Sequence, residues 1–431
     1  MFRPVDKLRV SRRLSDGRKV QVGELAQNSR AVFFQYDAEY LERFHSLSPF
    51  TLFFNNELQQ APARPHYGLH GVFADSLPDG WGLSLMDQVF TRHGLALDQV
   101  TVMDRLAYMG KQGLGALSYD PISEFSPDEP DDLIDIADLG KSAVQFFDGL
   151  TTTVTAALAR HGGSPGGSRP KAQIHMSPGD VRHASTVPQP ELEPWIVKFT
   201  SERLPLKHQE GLCEAAYLTL AENAGIKVPD WRLIDPPDDF PAPAWLALRR
   251  FDCPPDNPGN GRFHMHTLCG LLDADYAQPS LDYETVIKAT MSLCQSPVAG
   301  QAQFARAIFN LFACNQDDHS KNWSLLMDDN GRWNPAPFYD ATFSPHPYGE
   351  HTTAFMGHGK TPSFEAVRQL ALLAGLKNWK QAKDVIDRIV EAIGQWPTVA
   401  KELDVKDDTR KHIQQHLETI RAQNRHLLTA S

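Results

Sequence analysis

Three side chains at fixed spacings constrain this chain more than any other feature of its sequence. Asp317 is followed five residues later by Asn322, and Asp340 comes eighteen residues after that. Carboxylate and amide oxygens are hard ligands of the kind that Mg²⁺ takes in small number beside phosphate groups. Asn322 and Asp340 can supply such ligands, while Asp317 can orient a hydroxyl group and accept its proton. The spacing therefore predicts a fold that gathers these side chains into a magnesium-dependent phosphotransfer site.

The segment Asn315–Trp323, which we call the catalytic loop, contains two adjacent aspartates, and spacing decides between them. In protein-kinase-like sites the acid/base Asp precedes the metal-binding Asn by five residues, which selects Asp317 over Asp318. We also expect His319 to brace this loop and Lys321 to neutralise the phosphate in transfer. The alternative is an ordinary polar turn between a helix and a strand, and the joint Asp, Asn and Asp pattern argues against it.

A lysine ends a short apolar strand upstream of this loop. The segment Glu193–Phe199 is predicted as a strand, and strand alternation places Lys198 on one face with Ile196. A lysine in this setting can bind ATP phosphates, as the strand lysine of kinases does. Glu214 follows in a helix predicted over 210–224 and can hold the ammonium group in an ion pair. Taken alone, Lys198 fits a strand-end lysine that reaches solvent better, and the downstream catalytic loop shifts the preference to the ATP lysine.

A glycine-rich segment precedes the lysine strand. This glycine-rich loop spans 161–171 and contains four glycines, among them Gly166 and Gly167. Glycines let backbone N–H groups approach phosphate oxygens closely. The loop matches neither the Walker A pattern nor G-x-G-x-x-G, and a flexible surface loop is the alternative. As a nucleotide loop it would place Ser164 and Ser168 for autophosphorylation.

Composition and charge indicate an ordinary globular protein. The chain has 431 residues, enough for two or three domains, and is 41% hydrophobic and 22% charged. Its five cysteines form no C-x-x-C pair, which favours a reduced, cytoplasmic protein. We expect no membrane association, because no apolar run is long enough to cross a bilayer and no signal peptide is evident. The net charge of −11 argues against nucleic-acid binding by the whole surface.

Histidines offer a competing metal site. Their spacings match no compact tetrahedral zinc pattern, so we expect these side chains to be solvated or satisfied in the core. The histidines weighed in this way are His264, His266, His319, His351 and His358.

The order of predicted elements divides the chain into three regions. Residues 1–125 mix helices with strands, including predicted strands over 31–36 and 50–54. Residues 126–251 contain the glycine-rich loop and the ATP lysine, and residues 252–431 are mainly helical and carry the catalytic and metal-binding loops. The predicted fold class is α+β: a protein-kinase-like two-lobed fold with an extra N-terminal α/β subdomain and a mainly helical C-terminal lobe.

Short motifs spread over most of the chain resemble those of one known family. They are Phe73–Gly82, Gly166–Ala172, Trp195–Phe199, Glu214 with Val228–Asp230, a hinge segment over 246–252, and Asn315–Asn322 with Tyr339–Asp340. Together these motifs resemble the HipA family, the serine/threonine-kinase toxins of bacterial type II toxin–antitoxin systems.

The resemblance implies several properties. ATP and Mg²⁺ would be the cofactors, with adenine at the hinge backbone near Arg249 and Phe251. The partners would be a HipB-like helix-turn-helix antitoxin, DNA only indirectly through that antitoxin, and a protein substrate. Known targets in the family are aminoacyl-tRNA synthetases, and the target varies among members. Ser164 matches the family's autophosphorylated serine, and Ser168 is the alternative.

Two other functions stay open from the sequence. The chain could be a small-molecule or lipid kinase, since kinase-like folds serve both. It could also be a co-repressor subunit with vestigial catalysis that acts beside a DNA-binding antitoxin. The joint presence of Lys198, Asp317, Asn322 and Asp340 argues against vestigial catalysis.

Overall fold

The computed structural model describes residues 2–126, 133–162, 167–177, 183–185, 189 and 191–430. Three antiparallel sheets and a short parallel strand pair carry the strands of these ranges. Helices predominate after residue 282, and they form most of the C-terminal lobe. No helix within these ranges is both long enough and apolar enough to cross a lipid bilayer.

The N-terminal region is built on a five-stranded sheet with strand order β4-β3-β2-β1-β5. The strand predicted over 50–54 is wrong, because Thr51 and Leu52 donate their backbone N–H groups to the Ser48 carbonyl and form a turn. Phe53 in that turn is 77% exposed. The elements of this region are β1 (Lys7–Arg13), β2 (Lys19–Gln27), β3 (Val32–Tyr36), α1 (Ala38–Arg43), β4 (Gln59–Gln60), α2 (Gly71–Ala74), α3 (Gly80–Arg92), α4 (Val102–Met109) and β5 (Leu117–Asp120).

A six-stranded antiparallel sheet follows, with strand order β10-β11-β9-β7-β8-β6. Its register places Lys198 directly opposite Lys171 on one side and Leu246 on the other. The elements are β6 (Leu133–Asp135), α5 (Ile136–Phe147), α6 (Ala156–His161), β7 (Lys171–Met176), β8 (His183–Ser185), β9 (Glu193–Lys198), α7 (Glu210–Asn223), β10 (Trp231–Ile234) and β11 (Trp245–Arg249).

The C-terminal region is mainly helical and is organised around one buried helix, α10. Phe304, Ile308 and Phe312 recur every four residues along it and are almost fully buried. Its elements are β12 (His264–Thr267), α8 (Leu268–Leu271), β13 (Leu281–Asp282), α9 (Tyr283–Cys294), α10 (Pro297–Ala313), β14 (Ser324–Met327), β15 (Trp333–Pro335), β16 (Thr353–Ala354), α11 (Phe364–Leu373), α12 (Trp379–Ile393), α13 (Trp396–Glu402), α14 (Asp407–Gln423) and α15 (Arg425–Thr429).

Two hydrophobic cores hold these regions together. The larger core joins the five-stranded sheet, α7 and the C-terminal helices. The smaller core packs Trp81 and Leu85 of α3 with Trp195 and Trp245 of the six-stranded sheet. The N-terminal helix α3 is therefore packed against the sheet that carries Lys198. The whole is a two-lobed α+β architecture of the kinase type, as the sequence predicted.

Candidate active site

Lys198 and Glu214 form a buried ion pair between β9 and α7. The Lys198 Nζ atom lies 2.6 Å from Glu214 Oε1 and 2.7 Å from Asp340 Oδ1. Burial alone would lower the pKa of Lys198, but Asp340 and Glu214 together raise it, so the ammonium stays charged. The Lys198 ammonium thus links the six-stranded sheet, α7 and the predicted metal ligand Asp340.

Asp340 is held in a conformation that few non-glycine residues adopt. Its φ of 56° lies in the left-handed region, which places its carboxylate beside Lys198. The preceding Tyr339 fixes the backbone, since its hydroxyl donates to the Lys321 carbonyl at 2.7 Å. Burial alone would raise the pKa of Asp340, but Lys198, Lys171 and Arg169 lower it far below its usual value. The carboxylate is therefore ionised at neutral pH.

The catalytic loop brings Asp317 and Asn322 together. Asn322 Nδ2 donates to the Asp317 carbonyl at 2.8 Å across a short 3₁₀ turn, Ser320–Asn322. The Asp317 side chain is 66% exposed, so a substrate can reach it. Its pKa is raised, first because partial burial removes some of its hydration and also because Asp340 is negatively charged, while His319 opposes the shift. A raised pKa makes this carboxylate a stronger base.

Asp318, which the spacing excludes as the acid/base residue, anchors the catalytic loop through buried hydrogen bonds. Its carboxylate is 1% exposed and accepts hydrogen bonds from the Tyr283 hydroxyl at 2.5 Å, His351 Nδ1 at 2.9 Å and the Thr353 amide at 3.0 Å. We expected His319 to brace the loop, and this stays a prediction: its backbone carbonyl accepts the Asn322 amide at 2.9 Å, whereas its ring makes no close contact with the loop carboxylates. His319 Nε2 lies 3.9 Å from Asp317 Oδ1, beyond hydrogen-bond distance, and its Nδ1 has no partner among the described residues. The His319 side chain lines a cleft between the six-stranded sheet and the catalytic loop.

Asp79 is a site residue that the sequence analysis missed. Its Oδ2 atom lies 2.6 Å from Lys321 Nζ, and its Oδ1 accepts a hydrogen bond from the Gly167 amide. The Trp81 amide donates back to the Gly167 carbonyl at 3.1 Å. The start of α3 therefore holds the end of the glycine-rich loop. The available signal was a Leu-Pro-Asp-Gly-Trp segment over 77–81, whose aspartate directly precedes a helix.

The described end of the glycine-rich loop is tightly packed. Gly167 has a φ of 99°, a backbone conformation that strains any residue with a Cβ, so this position favours glycine. Burial and the neighbouring charge of Lys198 lower the pKa of Lys171 to about 8. Ser168 is exposed, whereas Ser164 and Gly166 lie outside the described residues.

Several of these side chains line one cleft, which has a cavity of about 160 Å³. Its polar end contains Lys171, Lys198, Lys321, Asn322 and Asp340. Its apolar part contains Ile196 and Leu248 of the six-stranded sheet, Met265 of β12, and Leu77 and Leu114 of the N-terminal region. Arg249 and Phe251 of the hinge also line it, and the Phe251 ring centroid lies 5.3 Å from that of Tyr339. Apolar walls beside clustered cations suit a planar base that carries phosphates.

The oxygen ligands in the cleft fit Mg²⁺ better than a transition metal. Among the described residues, no three His, Cys, Asp or Glu side chains are grouped to hold an ion. Mg²⁺ keeps several waters and needs only one or two protein ligands beside phosphates, and Asn322 and Asp340 can supply them. Of the histidines weighed for zinc, three bind protein groups: His264 contacts the Leu47 carbonyl, His266 contacts Asp75, and His351 contacts Asp318.

Two family models match the chain and together cover most of it. The HipA-like C-terminal domain matches residues 163–396, which include Lys198, the catalytic loop and Asp340. The HipA N-terminal domain matches residues 17–120, which include Asp79.

Individual relatives agree with these matches. HipA of the Shewanella oneidensis MR-1 toxin–antitoxin system, solved with HipB and its operator DNA, superposes with a TM-score of 0.69. The two chains are 17% identical, and 96% of each is covered, which shows a common fold. A Sinorhizobium fredii protein named "Putative kinase Y4dM" is 27% identical over 244 residues. That match covers 52% of this chain and 57% of the relative, so it spans little more than half of either protein.

Proposed function

This chain belongs to the HipA family, and we propose that it is an ATP- and Mg²⁺-dependent serine/threonine protein kinase. The observation that carries the proposal is the junction of Lys198, Glu214 and Asp340 at 2.6 and 2.7 Å. This junction lies in the same cleft as Asn322, beside the catalytic loop. Kinase sites need an ATP lysine, its carboxylate partner and the metal ligands in place together.

The upper part of the cleft would bind the nucleotide. Lys198 and Lys171 would contact phosphate oxygens, and Glu214 would keep the Lys198 ammonium in position. Asn322 and Asp340 would hold Mg²⁺, which supplies neutralising charge to the phosphates when bound. Arg249 and Phe251 would border the adenine through the hinge backbone. The cavity of about 160 Å³ is smaller than the roughly 300 to 1,000 Å³ of typical ligand pockets. Nucleotide binding would therefore have to widen the cleft.

The lower part of the cleft would activate the acceptor. Asp317 would orient a serine or threonine hydroxyl and accept its proton as the oxygen attacks. The exposure of its side chain supports access by a side chain of another protein. Lys321 would release Asp79 and add positive charge beside the transferred group.

We propose a toxin role with a HipB-like helix-turn-helix antitoxin in the cytoplasm. The support is the fold shared with Shewanella HipA, which was solved with HipB and operator DNA. Contact with DNA would occur only through that antitoxin. The substrate would be a host protein, with an aminoacyl-tRNA synthetase as one candidate. Autophosphorylation of Ser164, or alternatively Ser168, would inactivate the chain.

A labelling experiment tests the proposal. Purified chain, Mg²⁺ and γ-³²P-ATP are incubated with bacterial lysate, in parallel with Asp317→Asn and with a chelated sample. We expect labelled protein bands only in the wild-type reaction with Mg²⁺. Label confined to small molecules or lipids would favour a kinase of that class. Wild-type chain that binds the antitoxin on DNA but transfers no phosphate would favour the co-repressor function.

A further inference from the structure

A second and larger cavity lies on the other side of the hinge. It has a volume of about 560 Å³ and is bordered by the segment before β10, the start of α10, and strands β14 and β15. It shares only Arg249, Arg250 and Phe251 with the nucleotide cleft, and it contains none of the proposed catalytic or metal-binding residues. Its size is within the range of pockets that hold small molecules.

A buried arginine lines this cavity without a carboxylate partner in the described part of the chain. Arg306 is 4% exposed, and among the described residues it donates to neutral groups, the Ala336 carbonyl at 2.6 Å and Gln303 Oε1 at 3.3 Å. Its guanidinium also lies 5.7 Å from the Phe338 ring centroid. Its Nε atom has no hydrogen-bond partner among the described residues. A guanidinium group that is removed from water without a counter-charge destabilises the folded protein. An anion in the cavity would supply the missing charge.

The rest of the wall favours an anion with an apolar body. Lys227 adds positive charge, and Arg249, which pairs with Glu193 and Asp230, has a buried Nε atom that lacks a partner in the described ranges. Of the two lining carboxylates, Asp230 is 74% exposed and pairs with Arg249, while Asp328 accepts the Arg332 amide. The remaining wall is largely apolar, with Val228, Phe251, Phe263, Leu326, Pro255, Pro335 and Pro337.

We propose that the cavity behind the hinge binds a small organic anion, in which a carboxylate or phosphate group contacts Arg306 and a planar apolar body contacts the surrounding wall. The proposal concerns binding alone and does not depend on kinase activity. Because the cavity and the cleft share hinge residues, an occupant would touch the segment that also borders the nucleotide.

Calorimetric titration of the full chain with 1-naphthoate and 1-naphthyl phosphate tests the proposal. Saturable binding of either probe is expected, and the tighter one identifies the anionic group. The neutral 1-naphthalenemethanol should bind at least about tenfold more weakly, because hydrogen bonds to charged groups are the stronger ones. Equal affinity for the neutral probe, or no saturable binding of either anion, would overturn the proposal.

Three variants locate the bound probe. Arg306→Gln removes the charge, and Ala302→Phe fills the cavity while keeping Arg306, in case the first variant fails to fold. Both should weaken binding of the anion by about tenfold or more, with circular dichroism confirming the fold. Lys198→Met changes only the nucleotide cleft and should leave probe binding intact. Loss of binding in Lys198→Met, or unchanged binding in a folded Ala302→Phe, would place the probe elsewhere and refute the site.

Discussion

Asp79 and Lys321 are separated by 242 positions in the chain, yet their carboxylate and ammonium groups lie 2.6 Å apart. Because Asp79 also accepts the Gly167 amide, one carboxylate joins the N-terminal region, the glycine-rich loop and the catalytic loop. The Lys321 ammonium lies 4.0 Å from the Tyr276 ring centroid as well. Burial alone would raise the pKa of Asp79, but Lys321 lowers it, so the pair is ionised. The N-terminal region is therefore part of the site.

A double-mutant cycle measures how strongly this pair couples the regions. We compare Asp79→Asn, Lys321→Met and the double variant by the free energy of unfolding. The side chains are only 10% and 22% exposed, so solvent screens their attraction weakly. Removal of either partner leaves a largely buried charge, and we expect an interaction energy of roughly 1 to 3 kcal/mol.

An exposed pair provides the matched control for that cycle. Lys288 and Glu284 form an ion pair on α9 with side chains 57% and 35% exposed. Their coupling should be much smaller, since solvent and salt screen charges at the surface. Equal coupling energies for the two pairs would contradict a structural role for the Asp79–Lys321 contact.

The same substitution at the two adjacent aspartates of the catalytic loop should lower activity at Asp317 and stability at Asp318. Asp317→Asn removes the proposed base from an exposed position, so phosphotransfer should fall by about 10² to 10⁴ while the melting temperature stays the same. Asp318→Asn weakens three buried hydrogen bonds, so the free energy of unfolding should fall by roughly 2 to 4 kcal/mol. Thermal denaturation and phosphotransfer assays on both variants check this. Full activity of Asp317→Asn would refute its assignment as the base.

Much of the site could be predicted from the sequence because its residues occur in local patterns. Lys198 ends an apolar strand, and Asp317, Asn322 and Asp340 follow kinase spacing, so each position could be assigned without knowing its neighbours. The ion pair between Lys198 and Glu214 followed from the same pattern. These predictions depend on short-range spacing, which a single sequence displays directly.

The contributions that were missed depend on tertiary packing. Asp79, Leu77 and Leu114 reach the cleft only because α3 packs into the smaller core with the six-stranded sheet. The anchoring role of Asp318 was missed for the same reason, since its partners come from α9 and the segment around Thr353. The strand predicted over 50–54 failed because local hydrogen bonds to Ser48 favoured a turn over aromatic strand propensity.

Lys171 should make nucleotide affinity depend on pH. Its pKa is lowered from 10.5 to about 8, so in the folded protein it loses its proton as the pH rises through about 8. The unfolded chain keeps that proton up to higher pH. Protonated Lys171 therefore lowers the free energy of unfolding below about pH 8, and this loss is relieved as the pH rises above it. Phosphates favour the charged lysine, and binding near pH 8 should therefore take up protons, with affinity falling as the pH rises further. Calorimetry in buffers of different ionisation enthalpy measures that uptake.

Lys171→Arg is the control for the pH effect. Arginine stays protonated over this range, so the variant should bind nucleotide without proton uptake near pH 8. An uptake of equal size in the wild type and in this variant would show that another group titrates.

Autophosphorylation should occur on Ser164 and not on Ser168. α3 holds Gly167 through both its amide and its carbonyl, and the adjacent Ser168 Cα would lie 3.0 Å from a Cβ on Gly80. These contacts hold the backbone at Ser168 beside α3, whereas Ser164 is three residues before Gly167. A phosphate adds about −1.5 to −2 charges beside the nucleotide phosphates, so Ser164→Glu should weaken ATP binding. Mass spectrometry of autophosphorylated Ser164→Ala and Ser168→Ala, with calorimetry of Ser164→Glu, checks both statements. Phosphate retained in Ser164→Ala and lost in Ser168→Ala would reverse the assignment.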